Sequence, residues 1–189
     1  MQKPPEVLAR RAATHSRFLR VEEVDLAFSN GARRTFERLT ASGLGAVFIV
    51  PMRDPETVLL VREYGAGLDR YELGVPKGRI DAGETAIEAA NRELQEEVGF
   101  AARKLTPLVT LSLSPAYMSH KAQVVLAEDL YPERRAGDEP EPLDVVPWKL
   151  SELHALLMRD DVSEGRSIAA LFIAREYMAG RFLPEGAVA

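Results

Sequence analysis

Residues 78–100, GRIDAGETAIEAANRELQEEVGF, constrain the fold more than any other stretch of the chain. Thr85-Ala86-Ile87-Glu88 has the spacing of a capping box, which makes Thr85 an N-cap and starts a helix at Ala86. Gly99 stands where a helix C′ glycine belongs, so the helix should end at Val98. Ile87, Ala90, Leu94 and Val98 form one narrow apolar stripe at the helical period, so this helix packs on a core along a single face. It also carries Glu88, Glu93, Glu96 and Glu97, with Glu84 in the turn before it. A fold that accepts such a helix needs an apolar layer beneath it and a use for the carboxylates at its border.

At about 100° per residue, Glu93 and Glu97 lie one turn apart on one border of the apolar stripe. Glu96 lies farther round on the same side, and Glu88 and Arg92 occupy the opposite, polar face. Glu88–Arg92 and Arg92–Glu96 are i,i+4 pairs, worth a few tenths of a kcal/mol each. Glu93 and Glu97 have no basic partner at those spacings, and like charges half sunk beside a core repel and lose solvation. Two readings follow. One is a solvated acidic face. The other is a divalent-metal site, since carboxylate oxygens from successive turns suit Mg²⁺ or Mn²⁺. In the second reading the glycine-bearing segment PKGRIDAGE can lend a backbone carbonyl.

Elsewhere the pattern is mostly extended. Residues 1–16 read as a polar lead-in with a Pro-Pro pair. From Phe18 to Leu39 the alternation of Val24, Leu26 and Phe28, with Ser29-Asn30-Gly31 as turn, predicts an antiparallel hairpin. AVFIVPM (46–52) and TVLLVREY (57–64) are strand-like and flank a turn at 53–56, and a short strand follows at 71–73. Further strands are expected near 103–113, 121–129 and 143–149, and helices at 150–159 and 163–180. GDEPEPL (137–143) is a Pro-rich acidic loop. Strands with helices on both sides point to an α/β/α sandwich with a mixed sheet. The division expected is a lead-in and hairpin over 1–42 and a larger domain over 43–189.

A chain of 189 residues fits one domain with a modest extension. Its net charge of −5 and lack of a basic run disfavour a nucleic-acid backbone as partner. A small polyanion fits if a metal or a few arginines supply positive charge. Cysteine is absent, which excludes thiolate metal sites and disulfides. There is no apolar run of the roughly 18–20 residues a membrane span needs, and no apolar core of a secretory signal at the start. The expected location is the cytoplasm, without membrane attachment. His15, His120 and His154 stand in unrelated contexts, and Trp148 reads as packing.

The opening stretch resembles the Nudix box, GX5EX7REUXEEXGU. Gly78, Glu84, Arg92, Glu93, Leu94, Glu96, Glu97 and Gly99 fall at its spacing, and Phe100 takes its last aliphatic position. The resemblance implies that Glu93, Glu96 and Glu97 hold catalytic magnesium, joined by the Lys77 carbonyl, with Glu96 sharing or bridging a second ion. It implies a structural role for Glu84, bonded to the loop and to Arg92. The hairpin text, LLVREY, YELGVPKG, SLSPAYMS and GDEPEPL resemble the ADP-ribose pyrophosphatase branch of the Nudix hydrolases. Pro115, fifteen residues beyond the box, matches the downstream proline associated with ADP-ribose-type substrates. Many enzymes of that branch read ELPAG before the box; ELGVPKG here is two residues longer, which bears on the shape of the substrate entrance.

The implied function is metal-dependent hydrolysis of the pyrophosphate in ADP-linked compounds such as ADP-ribose, NADH and diadenosine polyphosphates, releasing AMP. Mg²⁺ is the expected cofactor and Mn²⁺ the other candidate. By resemblance, Glu139 is the general base and Glu141 an additional metal ligand, against a reading of the loop as a solvated acidic turn. Arg62 either reaches a phosphate or ribose, oriented by Glu63, or makes an edge salt bridge. Glu72 is placed near the metal entrance. Phe28 and Tyr64 are either the adenine platform or plain core. The resemblance implies that the N-terminal hairpin joins the partner subunit's site, hence a homodimer with shared substrate pockets; a lone hairpin is also marginal in water. The competing functions are hydrolysis of another nucleotide sugar such as GDP-mannose, and a sensor that binds ADP-ribose without cleaving it.

Overall fold

The computed structural model describes residues 19–41 and 43–181. The expected lead-in, with His15, lies outside them. The hairpin forms from β1 (Leu19–Ala27) and β2 (Arg33–Ala41), antiparallel with Val24 opposite Phe36 and Glu22 opposite Arg38. Gly31, at φ 83°, makes the turn, and the Asn30 side chain accepts from the Ala32 amide. This pair is a sheet of its own. It joins the rest through Leu39, whose amide donates to Tyr117 O and whose carbonyl accepts from Ser119 N.

The main sheet contains β3 (Ala46–Asp54), β4 (Thr57–Gly65), β5 (Arg70–Gly74), β7 (Phe100–Ser112) and β8 (Lys121–Pro132) in the order β5-β4-β3-β8-β7. Two more strands, β6 (Lys77–Arg79) and β9 (Asp144–Lys149), pair with β3 and β4 respectively. The β3–β8 pairing is parallel and the others antiparallel, so the sheet is mixed. β6 was expected as loop; three residues of PKGR instead pair with Ala46–Phe48, which fixes the start of the glutamate segment against the central strand.

Alternation along the central strands explains the layers. Phe48, Val50 and Met52 of β3 face one core with Val58, Leu60, Val124 and Leu126. That core is covered by α2 (Leu153–Leu157) and α3 (Gly165–Met178). Val47 and Ile49 face a second core with Leu59, Val61, Val125 and Ala127, covered by α1 (Ala86–Glu93) through Ala89 and Ala90 and by the turn that continues it through Leu94 and Val98. Both faces are buried, so these strands read as continuous apolar runs. The result is the expected α/β/α sandwich. Residues 150–152 form a 3₁₀ turn leading into α2, shorter than the helix expected at 150–159. Trp148 packs against the first core and donates to Glu152 O at 3.1 Å.

Candidate active site

The glutamate helix begins as its sequence requires. The Thr85 hydroxyl accepts from the Glu88 amide at 3.2 Å, and the Glu88 carboxylate accepts from the Thr85 amide at 2.8 Å. The end differs from a plain α-helix. Residues Leu94–Val98 form a π turn, closed by the Gly99 amide on Leu94 O at 3.1 Å, with Gly99 at φ 81°. Single π turns inside helices recur at functional sites, and here one carries Glu96 and Glu97. The 100° wheel therefore fails in the last turn.

Arg92 organises the acids. Its guanidinium meets both oxygens of Glu84, at 2.8 and 3.0 Å, and donates to Glu93 at 2.7 Å, Glu96 at 3.3 Å and Arg79 O at 2.9 Å. Only a planar five-donor fork serves that many acceptors at once. The hydrogen bonds to Glu84, followed by those to Glu93, hold Arg92 firmly in its charged form. Glu84 also accepts from the Asp81 amide at 3.1 Å, which closes the loop before the helix. The i,i+4 pair expected between Glu88 and Arg92 is absent, because Glu88 is used by the capping box. Glu93 does have a basic partner, its neighbour Arg92.

Glu93 and Glu97 are the strained members. Glu97 is 5% exposed; burial pushes its carboxyl up to about 8, against the pull of the Lys77 ammonium. Burial pushes Glu93 up to about 6, against its hydrogen bond to Arg92. Glu97 accepts from the Lys77 amide at 3.1 Å, and the Lys77 ammonium pairs with Glu63. Gly78 lies so close to Glu93 that an added Cβ would stand 1.9 Å from its carboxyl carbon. Any side chain at this position would have to displace the Glu93 carboxylate, which occupies the space.

Opposite the π turn runs the acidic loop. A cleft of about 490 Å³ lies between Lys77, Gly78, Glu93, Glu96, Glu97 and the segment 135–139. A second, of about 290 Å³, continues between the same three glutamates and residues 134–143. Glu139 faces into the first cleft; burial and the Glu63 carboxylate raise its proton affinity. Glu141 accepts a hydrogen bond from the Tyr71 hydroxyl. The loop therefore stands over the box carboxylates.

The other sequence candidates lie elsewhere. Neither cleft is lined by Arg62, Tyr64, Glu72, Phe28 or Pro115. Arg62 pairs with Asp161 before α3, and Glu63 bonds Lys77 and not Arg62. Glu72 accepts from the Ser163 amide at 3.0 Å and hydroxyl at 2.7 Å. Tyr64 packs edge-on to Tyr71, its cross-strand neighbour, at 5.5 Å. Phe28 is exposed on the hairpin, edge-on to Phe36 at 6.3 Å. Pro115 is exposed in the turn that docks on Leu39. Sequence reasoning missed the Lys77 side chain and Tyr71, whose partners lie 14 and 70 positions away.

Among the described residues no three Asp, Glu or His side chains already converge on one point as a preformed metal site. Glu93 and Glu96 are turned toward Arg92, and Glu97 toward Lys77. The donors nevertheless fit a divalent cation: hard carboxylate oxygens, largely withdrawn from solvent, gathered in a cleft that borrows cations from two side chains.

Residues 44–172 match the NUDIX domain, and the chain belongs to the Nudix hydrolase family, whose members generally use divalent metal cations. Residues 5–38 match the NudE-type Nudix hydrolase N-terminal domain. The chain is 50% identical over 181 residues to the ADP compounds hydrolase NudE of Escherichia coli (strain K12), covering 96% of each chain. It is 29% identical over 155 residues to the ADP-ribose pyrophosphatase of Bacillus subtilis (strain 168), covering 81% of this chain and 82% of that protein. The fold superposes on a crystal structure titled ADP compounds hydrolase with TM-score 0.80 and 48% identity, covering 98% of each chain.

Proposed function

We propose that this Nudix hydrolase cleaves the pyrophosphate of ADP-linked compounds, ADP-ribose, NADH and diadenosine polyphosphates among them, and releases AMP with Mg²⁺ as cofactor. The observation that carries the reading is the cleft in which Glu93, Glu96 and Glu97 face Glu139 of the acidic loop. Half identity over nearly the whole chain to an ADP compounds hydrolase supports the substrate class.

The Lys77 carbonyl, Glu93, Glu96 and Glu97 would hold the cation, with Glu141 joining from the loop through the oxygen Tyr71 does not engage. A divalent cation bound there neutralises pyrophosphate oxygens and acidifies a water. Glu139 takes the proton of the attacking water, a role favoured by its raised proton affinity. Arg92 keeps Glu93 and Glu96 aligned while Glu84 anchors Arg92 to the loop. The Lys77 ammonium offsets charge among Glu63, Glu97 and the bound phosphates. Arg62 and Tyr64 of β4 and Glu72 of β5 lie outside the two clefts, so in this reading they would meet only the part of the substrate that extends beyond the pyrophosphate.

The hairpin belongs to a homodimer in this reading. Val21 is 68%, Phe28 47% and Phe36 43% exposed on a two-stranded sheet too small to be stable by itself. Phe28 would then serve as an aromatic platform in the partner's pocket.

The test is a panel of ADP-ribose, NADH, diadenosine triphosphate, GDP-mannose and dGTP with Mg²⁺, products resolved by anion exchange. AMP from the adenine compounds is the expected result. GMP alone would assign the chain to another nucleotide sugar, and ADP-ribose bound without product would make it a sensor.

A further inference from the structure

The acidic loop is fastened on both sides, and a side chain of β5 meets it between. Upstream, the Glu133 amide donates to Gly99 O and the Arg135 amide to Gln95 O, at 3.1 and 3.2 Å. Gly137 lies against Glu96, where a Cβ would come within 3.1 Å of the Glu96 Cβ. Downstream the chain becomes β9, with Asp144 opposite Arg62. Between these anchors the Tyr71 phenol donates to Glu141.

Three features make this contact more than a surface hydrogen bond. Tyr71 sits within β5 directly opposite Tyr64, and their rings meet edge to face at 5.5 Å, so strand pairing sets where the phenol points. Its acceptor is a carboxylate oxygen, and hydrogen bonds to such groups are stronger than those between neutral partners. Glu141 is separated from Glu139 only by Pro140, and Pro142 follows. Proline fixes its own φ and restricts the residue before it, so this link is stiff and a hold on Glu141 is transmitted to Glu139.

We propose that Tyr71 is the positioning residue of the acidic loop: by holding Glu141 it fixes Glu139 in the cleft over Glu93, Glu96 and Glu97. The catalytic part rests on the reading of Glu139 as base. The mechanical part, that the phenol holds the loop, stands without it.

The test uses Tyr71→Phe, which keeps the ring and its packing on Tyr64 and removes only the donor. A hydrogen bond to a charged acceptor is worth roughly a tenfold change or more in a local equilibrium. Exchange of the Glu133 and Arg135 amides, held on Gly99 O and Gln95 O at the foot of the loop, should therefore quicken by about tenfold, and kcat for ADP-ribose should fall about tenfold with KM within about twofold. Glu141→Ala removes the acceptor from the loop without touching β5, and should quicken the same amides. The double variant should add nothing further, because both changes break one contact. Unchanged exchange in Tyr71→Phe overturns the proposal. Quickened exchange with unchanged kcat overturns the positioning role. Glu139→Gln separates the two readings: it should lose activity about a hundredfold with loop exchange unaltered. Wild-type activity in that variant would remove Glu139 as base, while the Tyr71→Phe exchange data would still decide the latch.

Discussion

Glu97→Gln should make the metal-free protein more stable at alkaline pH, and the size of the effect follows from where the carboxyl sits. Glu97 is nearly sealed from solvent, and burial moves its carboxyl from 4.5 to about 8. Between those values the folded protein holds a proton that the unfolded chain has released. Stability from this group is thus fully present below the unfolded value and is lost as pH rises through the folded one. Each tenfold change in proton affinity is worth about 1.4 kcal/mol, so the loss reaches at most about 5 kcal/mol at about pH 9. Glu93, moved from 4.5 to about 6, adds about 2 kcal/mol in the same direction. Glutamine keeps an acceptor for the Lys77 amide and cannot ionise. Urea unfolding in a chelator, from about pH 5 to about pH 9, should show the wild type losing several kcal/mol and Glu97→Gln losing only the part due to Glu93. Excess Mg²⁺ should restore the wild type at the alkaline end, since a ligand of the native state stabilises it by mass action. Parallel curves for the two proteins would refute the assignment of Glu97 as the buried, uncompensated acid.

Gly78→Ala places a methyl group inside the Glu93 carboxylate, 1.9 Å from its carbon; displacing that group by about 1 Å should lower kcat about a hundredfold, read by steady-state kinetics beside an unchanged circular dichroism spectrum. Thr85→Ala removes half of the capping box and should cost about 1 kcal/mol, seen as a fall in Tm of about 3 °C with the clefts intact.

Local signals in the sequence reached far into this structure. The capping box at Thr85, the apolar stripe from Ala90 to Val98 and the positive φ of Gly99 depend on residues within a turn or two, and each forms as the spacing requires. The central strands were equally legible because burial on both faces leaves an unbroken apolar run. Three things were not. The π turn at 94–98 has no local signal, since the residues LQEEV are ordinary for an α-helix. β6 is three residues long and exists because β3 has an open edge for it. The partners of Arg62, Lys77 and Tyr71 lie 99, 14 and 70 positions away, and the direction in which each side chain leaves its strand decides the choice. Arg62 and Glu63 are adjacent and point to opposite sides of β4, so one meets Asp161 and the other Lys77. Reading them as a pair ignored that alternation.

In the proposed function the box carboxylates and a divalent cation act together in cleaving ADP compounds. The most direct measurement is AMP release from ADP-ribose by the wild type and by Glu93→Gln and Glu97→Gln, each with Mg²⁺ and with a chelator. AMP should form at the full rate only with the wild type and Mg²⁺, and each variant should lose at least about a hundredfold. Undiminished release in the chelator, or by Glu97→Gln, would contradict that function.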